Sequence, residues 1–179
     1  MNCQANYIGG IVGANYNAKI SNCFNDGNIK TEGFQAIGGI AGCQEGSSAL
    51  ISNCYNKNVV EGAHNIGGIV GTIEDGGVNN CYNIGQISSY LDLSQHDNGI
   101  LCAGAIAGYN TTDKILVSNC YSLDSLNVEI VGDVVGNPID EHSSKKTEQE
   151  MKSENFVTTI NAGENNFKKG STYPILSWQ

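Results

Sequence analysis

The sequence predicts an all-β protein, a parallel β-solenoid (three-sided β-helix) of about four to five coils with a small C-terminal cap of helix and strand. Three observations predict this fold. A glycine-rich aliphatic block recurs along the chain, a second block of the type Ile-Ser-Asn-Cys-Tyr recurs with it, and the apolar residues between them form short clusters without helical spacing.

The glycine blocks set the period of the repeat. Their intervals are 29, 29, 37 and 28 residues, from starts at Ile8, Ile37, Ile66, Ala103 and Val131. A regular interval of this length is typical of stacked repeats, in which neighbouring units complete each other's core. The long third unit predicts an insertion, which we place at residues 88–98.

Each unit contains three apolar blocks separated by turn-forming residues, which predicts three strands per coil. The first strand is the glycine block, and the second begins just before the Asn-Cys pair. The third strand is centred six residues after each cysteine, at Ile29, Val60, Ile87 and Leu126. Left-handed corners are expected just before these third strands, at Gly27, Asn58, Gly85 and Asp124.

Stacking turns each alignment column into a ladder with a spacing of roughly 4.8 Å. The asparagine column is expected to lie at a corner and to bridge the coils with its amides, and it consists of Asn22, Asn53, Asn80 and Asn119. The cysteine column is expected to be buried, and it consists of Cys23, Cys54, Cys81 and Cys120. Free thiols are favoured over disulfides, because in-register parallel strands hold Cβ atoms farther apart than the roughly 3.8 Å that a disulfide needs.

An aromatic column follows the cysteines, at Phe24, Tyr55, Tyr82 and Tyr121. These rings either seal an edge of the core or form an outer stripe. Stacking against a ligand is the less favoured alternative.

The repeat pattern predicts a solenoid over residues 1–136 and a cap over residues 137–179. Residues 147–150 read Thr-Glu-Gln-Glu, a capping box that predicts a helix carrying Met151, Phe156, Val157 and Ile160 on one side. Because repeat arrays need caps, this segment is expected to cover the apolar end of the stack.

The combination of GGIVG, ISNCYN and a following Gly-x-Ile/Val corner resembles the GLUG-motif repeat of bacterial cell-surface proteins, which occurs in adhesin-like proteins and beside some IgA-type peptidases. The resemblance covers residues 8–136, and the closing residues 173–179 are similar to the ends of such chains. It implies an extracellular or cell-surface location and supplies no catalytic positions. Ala105 and Asp133 stand where the pattern has its second glycine, which argues against a fifth complete coil.

The charge of the chain disfavours two classes of partner. Nine lysines, no arginine and eighteen acidic residues give a formal net charge of −9. Nucleic acid and anionic membranes are therefore not expected as partners. The apolar stretches are also too short for membrane insertion.

Two acidic groupings are the candidate ligand-binding residues. The first lies in the turn between the first and second strands and comprises Glu45, Glu74, Asp75 and Asp113; the second lies in the insertion and comprises Asp92, Asp97 and Asn98. Oxygen ligands of this kind could hold calcium, and the alternative is a solvated edge that keeps the protein soluble. Neither a catalytic motif nor a metal or cofactor motif is recognisable in the sequence.

We therefore expect a non-enzymatic repeat module of a secreted or surface-attached bacterial protein that serves in adhesion, display or spacing. Its partner would be a host protein or a glycan, and it would be covalently part of a longer surface protein. Two alternatives remain open, a polysaccharide-active β-helix enzyme and a purely structural stalk segment.

Overall fold

The computed structural model describes residues 7–32, 35–91, 102–114, 116–134 and 139–179. In these residues, parallel strands stack coil upon coil, so the predicted β-solenoid is confirmed.

Each of the first three coils contains five short strands. Coil 1 contains β1 (Tyr7–Gly9), β2 (Val12–Tyr16), β3 (Lys19–Ser21), β4 (Phe24–Asn25) and β5 (Ile29–Lys30). Coil 2 contains β6 (Ala36–Gly38), β7 (Ala41–Glu45), β8 (Leu50–Ser52), β9 (Tyr55–Asn56) and β10 (Val60–Gly62). Coil 3 contains β11 (Ile66–Gly67), β12 (Val70–Ile73), β13 (Gly77–Asn79), β14 (Tyr82–Asn83) and β15 (Ile87–Ser89).

The last two coils have longer first strands. Coil 4 contains β16 (Ala103–Asn110), β17 (Val117–Ser118) and β18 (Tyr121–Leu123). Coil 5 contains β19 (Glu129–Val134), an isolated parallel bridge from Ile139 to Val117, and β20 (Ser144–Lys146).

Four parallel sheets run along the stack. The glycine blocks form the first sheet, in the order β1-β6-β11-β16-β12-β7-β2, with β19 paired to β16. The second sheet is β17-β13-β8-β3, the third is β20-β18-β14-β9-β4, and the fourth is β15-β10-β5. Because the pairing is in register, equivalent residues form columns; Val60, for example, lies between Ile29 and Ile87.

The second predicted strand is divided into two short strands. The break falls at the asparagine column, where every residue has a positive φ: 55° at Asn22, 53° at Asn53, 52° at Asn80 and 49° at Asn119. The left-handed conformation predicted at Gly27, Asn58, Gly85 and Asp124 is wrong, since none of these residues has a positive φ. Leu126 is buried but lies in a turn region and not in a strand.

The glycine blocks are explained by backbones that approach one another too closely for a side chain. A Cβ atom added at Gly38 would lie 2.0 Å from the carbonyl oxygen of Ala41 in the same block, and one at Gly71 would lie 2.4 Å from the nitrogen of Ile37 in the preceding coil. The first and third glycines of the block therefore allow close backbone contact, both within a block and between neighbouring coils.

In its described residues coil 5 pairs with coil 4 in the first three sheets, and its alignment differs from the prediction. Val131 pairs with Ala107, and not with Ala103, because a register irregularity separates β19 from the start of β16. Asp133 therefore lies opposite Tyr109 and does not occupy the second-glycine position. The parallel pairing continues to Lys146, beyond the predicted boundary at residue 136.

The solenoid encloses two groups of apolar side chains. The larger group lies between the second half of the glycine blocks and the second sheet, and it includes Ile40, Ile51, Cys54, Ile69, Val78 and Cys81. The smaller group lies between the first half of the glycine blocks and the fourth sheet, and it includes Ile37, Val60 and Ile66.

The C-terminal segment contains two helices, α1 (Glu148–Met151) and α2 (Glu154–Asn161), and an antiparallel pair, β21 (Phe167–Lys168) and β22 (Ile175–Leu176). The predicted capping box is present, since the Thr147 side chain accepts from the Glu150 N–H and the Glu150 carboxylate accepts from the Thr147 N–H. A second cap at Ser153 starts α2, so the expected single helix is two helices.

This segment covers the side of the solenoid along its aromatic column, rather than the end of the stack that the sequence predicted. Its buried residues pack with Tyr55, Tyr82 and Tyr121 in one cluster that includes Phe156 and Phe167. The tyrosine rings of neighbouring coils stack, with centroids 4.9 Å apart for Tyr55 and Tyr82. The aromatic column is therefore an outer stripe with a packing role.

Candidate functional site

The Asn-Cys pair of each repeat closes a tight corner. The left-handed asparagine turns the chain, and the thiol that follows donates to the carbonyl two residues earlier. The Cys54 thiol lies 3.1 Å from the Ser52 carbonyl oxygen, and the Cys81 thiol lies 3.1 Å from that of Asn79. The pair therefore forms a tight turn, and it recurs because each coil needs the same turn.

The predicted bridging role of this asparagine column is only partly seen. The Asn119 side chain donates to the Asn80 side chain at 2.8 Å, which joins coils 3 and 4. The Oδ1 atom of Asn53, in contrast, is buried without a hydrogen-bond partner.

The main amide ladder lies one motif position further along and was not predicted. Asn25 donates to Asn56, and Asn56 donates to Asn83, each over 2.8 Å between Nδ2 and Oδ1. Each of these amides also donates to the carbonyl two residues later in its own coil. The sequence signal that could have identified this ladder is the Asn-x-Gly/Asn pattern of the following corner, since asparagine hydrogen-bonds its own backbone two residues on.

The second glycine of the block makes room for this ladder. A Cβ atom at Gly68 would lie 2.4 Å from Cγ of Asn83, and one at Gly39 would lie 2.8 Å from Cγ of Asn56. In coil 4 the equivalent residues are Ala105 and Ser122. A methyl group is thus gained in the coil in which the amide of the ladder is lost.

The cysteines of the described residues do not form an accessible reactive site. The six that lie in the described residues carry thiol groups and form no disulfide, and each of them except the half-buried Cys23 is buried. Burial raises the pKa of the Cys81 thiol well above its usual value, and burial with the nearby Asp133 carboxylate raises the pKa of Cys102 to about 12. Because the thiolate is the nucleophile, Cys81 and Cys102 are poorly suited to catalysis. Hydrogen bonds from the neighbouring Cys23 and Cys81 thiols lower the pKa of Cys54, but its side chain is fully buried and no substrate can reach it.

The predicted acidic edge exists, but its members do not converge. Partial burial raises the pKa of the Glu74 carboxyl group, and the negative charge of Glu45 raises it further. Asp75 instead pairs with Lys114 at 3.0 Å, and Asp113 is exposed. Within the described ranges, no group of three or more potential ligands could hold a metal ion, so calcium gains no support.

Ion pairs between neighbouring coils use other acids of the chain. Lys30 and Glu61 are paired in register across coils 1 and 2, with 3.1 Å between Nζ and Oε2, and Lys57 pairs with Asp26 at 2.9 Å. These pairs lie at the surface, where such contacts stabilise weakly.

The insertion is the other predicted site, and its residues Asp92, Asp97 and Asn98 lie outside the described residues. Its first residues are described and border a groove of about 640 Å³. The groove is lined by Lys30, Thr31, Glu32, Glu61 and Tyr90. Tyr90 is 44% exposed, and Ser88 donates to Glu61.

This groove is the candidate binding site of the described chain. It combines an aromatic ring, two carboxylates and an ammonium group in one concave surface at the fourth sheet. Such a combination suits a sugar, because an aromatic side chain offers an apolar face while carboxylates accept from hydroxyl groups.

Comparisons with known proteins agree with the fold and with the repeat. Residues 4–30 match the sequence family described as the GLUG motif. The same block pattern recurs in register in the coils that follow, which supports a repeat protein built on the GLUG motif.

A solved structure from Bacteroides ovatus, described as a "putative immunoglobulin A1 protease", is similar to this chain with a TM-score of 0.63 and 25% sequence identity. The similarity covers 96% of this chain and 53% of that one, so this chain spans about half the length of its structural neighbour. No curated protein matches the sequence. In the described part of the chain, no helix has the length and apolar character needed to cross a membrane.

Proposed function

We propose that this chain is a non-catalytic, rigid repeat module of a secreted or surface-attached bacterial protein, and that it spaces or displays adjoining parts and contributes to adhesion. The observation that carries the proposal is that the recurring residues serve the architecture. The glycines permit close backbone contact, the Asn-Cys pairs close corners, and the second asparagine joins the coils.

Adhesion is assigned to the groove beside the insertion, because it combines features that the repeat does not require. Tyr90 has no counterpart in the corner chemistry of the motif, and it lines the same groove as Glu32 and Lys30. A host glycan is the partner class that this lining supports best, and a host protein is the alternative.

Catalysis is the competing function, favoured by the name of the structural neighbour and by the two carboxylates of the groove. A glycoside hydrolase needs one carboxyl group as general acid and a second as base or nucleophile. Here the Glu61 carboxylate forms an ion pair with Lys30 and accepts a hydrogen bond from the Ser88 hydroxyl. It is therefore already bound by side chains of both neighbouring coils. This engagement supports binding rather than bond cleavage.

The proposal is tested by measuring binding and turnover on the same protein. The chain is applied to a glycan array and to a panel of host proteins, and it is incubated with polysaccharides and with immunoglobulin A1. We expect glycan binding without any cleavage product. Tyr90→Ala and Glu32→Gln should each weaken binding at least about tenfold, a loss typical of removing one well-placed contact.

The matched control is Glu129→Gln, a change at an exposed carboxylate of coil 5 that should leave binding unchanged. Cleavage that is abolished by Glu61→Gln would overturn the non-catalytic assignment. Binding that survives Tyr90→Ala and Glu32→Gln would overturn the assignment to the groove. Failure to bind any glycan or host protein would remove adhesion and leave spacing as the role.

A further inference from the structure

A second concave surface lies close to the candidate groove. It has a volume of about 290 Å³ and is lined by Gln35, His64, Asn65 and Tyr109. Gln35 precedes β6, His64 and Asn65 precede β11, and Tyr109 lies in β16. The lining therefore comes from three consecutive coils. We call this surface the amide pocket.

Asn65 is held in the amide pocket by the first sheet. Its backbone is left-handed, with a φ of 47°, and its Nδ2 atom donates to the Thr72 hydroxyl at 3.1 Å. Thr72 is buried and pairs in register with Tyr109. This hydrogen bond uses a donor of the Asn65 amide and leaves the acceptor Oδ1 for another partner.

Three polar groups that line the amide pocket are not used inside the protein. Within the described ranges, the Gln35 amide, the Asn65 Oδ1 atom and the Tyr109 hydroxyl have no hydrogen-bond partner. Gln35 is exposed, and Asn65 and Tyr109 are half-buried. A concave surface with an aromatic ring and a few convergent polar groups is typical of a ligand site.

The groove and the amide pocket adjoin across one corner of the solenoid. Glu32 lines the groove, and Gln35, three residues later, lines the pocket. One coil further on, Glu61 lines the groove and His64, again three residues later, lines the pocket. Because three residues of chain span at most roughly 11 Å, a ligand longer than one sugar ring can contact both surfaces.

The two linings suit an uncharged glycan. In the groove the Lys30 charge is paired with Glu61, and among the described residues that line the amide pocket there is neither an acid nor a lysine. Each surface has a tyrosine, whose ring offers an apolar face, and side chains that hydrogen-bond to hydroxyl groups. The net charge of −9 on the chain repels an acidic glycan.

We propose that the groove and the amide pocket are two subsites of one binding site for an uncharged oligosaccharide. Tyr90 and Glu32 hold one sugar unit in the groove. The amide pocket holds a following unit through Gln35, Asn65 and Tyr109. This inference rests on the proposed binding role of the groove, and it adds the length and the charge class of the glycan.

A folded protein is a poorer occupant of these two surfaces. A standard protein interface buries about 800 Å² on each partner, whereas ligand sites for small molecules are concavities of about 300–1,000 Å³. The groove, at about 640 Å³, and the amide pocket, at about 290 Å³, are of the second kind.

The first test is a chain-length series. Calorimetry measures binding of the full chain to uncharged manno-, galacto- and gluco-oligosaccharides, each from the monosaccharide upward. We expect the affinity for at least one series to rise at least about tenfold between the monosaccharide and the trisaccharide, because only the longer chain fills both subsites.

Substitutions then separate the two subsites. Gln35→Ala and Tyr109→Phe should each weaken binding of the trisaccharide about three- to tenfold, the loss expected for one hydrogen bond, and leave binding of the monosaccharide unchanged. Tyr90→Ala should weaken binding of both. The matched controls, Gln86→Ala and Tyr16→Phe, make the same changes at exposed positions outside both surfaces and should leave binding unchanged.

The outcomes distinguish this inference from the proposed function. An affinity that does not depend on chain length, or equal losses in the test and control variants, would overturn the two-subsite assignment and leave the groove as the binding site. Preferential binding of a sialylated or sulfated glycan, or of a host protein, would contradict the uncharged oligosaccharide and leave the adhesion role intact. Absence of binding to every glycan and host protein would remove both.

Discussion

Asn56 shows at the scale of one residue why this repeat is so uniform. Its side chain is fully buried, donates to the Asn58 carbonyl and the Asn83 side chain, and accepts from Asn25. An amide is the one side chain that donates twice and accepts twice within this volume. A change at one level of the ladder therefore leaves groups unpaired in three coils.

We expect Asn56→Ala to lower the free energy of unfolding by about 2–4 kcal/mol, because it removes buried hydrogen-bond partners and leaves a cavity. Urea-induced unfolding measures this loss. The control is Asn58→Ala, whose side chain makes an exposed contact with Asp26 and should cost less than about 1 kcal/mol. Equal effects at the two positions would contradict an interior ladder.

The residue scale also shows where sequence reasoning succeeds and fails. The buried cysteine column follows from residue type alone. The sequence predicts that Asn22 and its equivalents bridge the coils, whereas the ladder runs mainly through Asn25 and its equivalents. A left-handed residue resets the alternation of inward and outward side chains, and the sequence does not mark that conformation in advance.

At the scale of elements, the fifth coil and the C-terminal segment depart most from the prediction. The degenerate glycine block of coil 5 argues against a complete coil, yet coil 5 pairs with coil 4 in three separate sheets. The segment after Lys146 covers the side of the solenoid because the outward tyrosines need a partner there. The repeat period could not predict this position, because the aromatic residues have the same spacing whether their rings face the core or the outside of the solenoid.

The Asp140 carboxylate links coil 5 to coil 4 through hydrogen bonds. Its oxygens accept from the Ser118 hydroxyl at 2.6 Å, from the Asn119 N–H, and from the N–H and hydroxyl of Ser143. Burial opposes ionisation, but these hydrogen bonds outweigh it and hold the pKa of Asp140 below its usual value. His142 is the neighbouring titratable group, with Nδ1 at 3.5 Å from Oδ2.

We expect Asp140→Asn to destabilise the protein at neutral pH. A carboxyl group whose pKa is lowered by folding contributes stability above its unfolded pKa and loses it as the pH falls through the folded pKa. The stability difference from wild type should therefore shrink when denaturation is followed from pH 7 into the acid range below the normal aspartate pKa. The control is Asp124→Asn at an exposed turn, and a difference that grows on acidification would be contrary to this account.

At the scale of the whole molecule, the sequence predicted the parallel solenoid, its period and its columns because each depends on local pattern. The number of strands per coil and the position of the C-terminal segment depend on backbone conformation and on which face a column presents. The candidate groove escaped prediction for a related reason. Its residues lie in different coils, and only the in-register pairing of Lys30 with Glu61 places them beside Tyr90.

The central claim is that the repeated motif builds a scaffold whose coils are joined by interior amides. It is tested most directly by hydrogen exchange of asparagine side-chain amides, measured by NMR in the native protein. We predict that the Nδ2 protons of Asn56 and Asn83 exchange at least about 100-fold more slowly than those of the exposed Asn155, because the ladder opens only with the coils. Exchange of Asn56 and Asn83 at the rate of Asn155 would contradict the account.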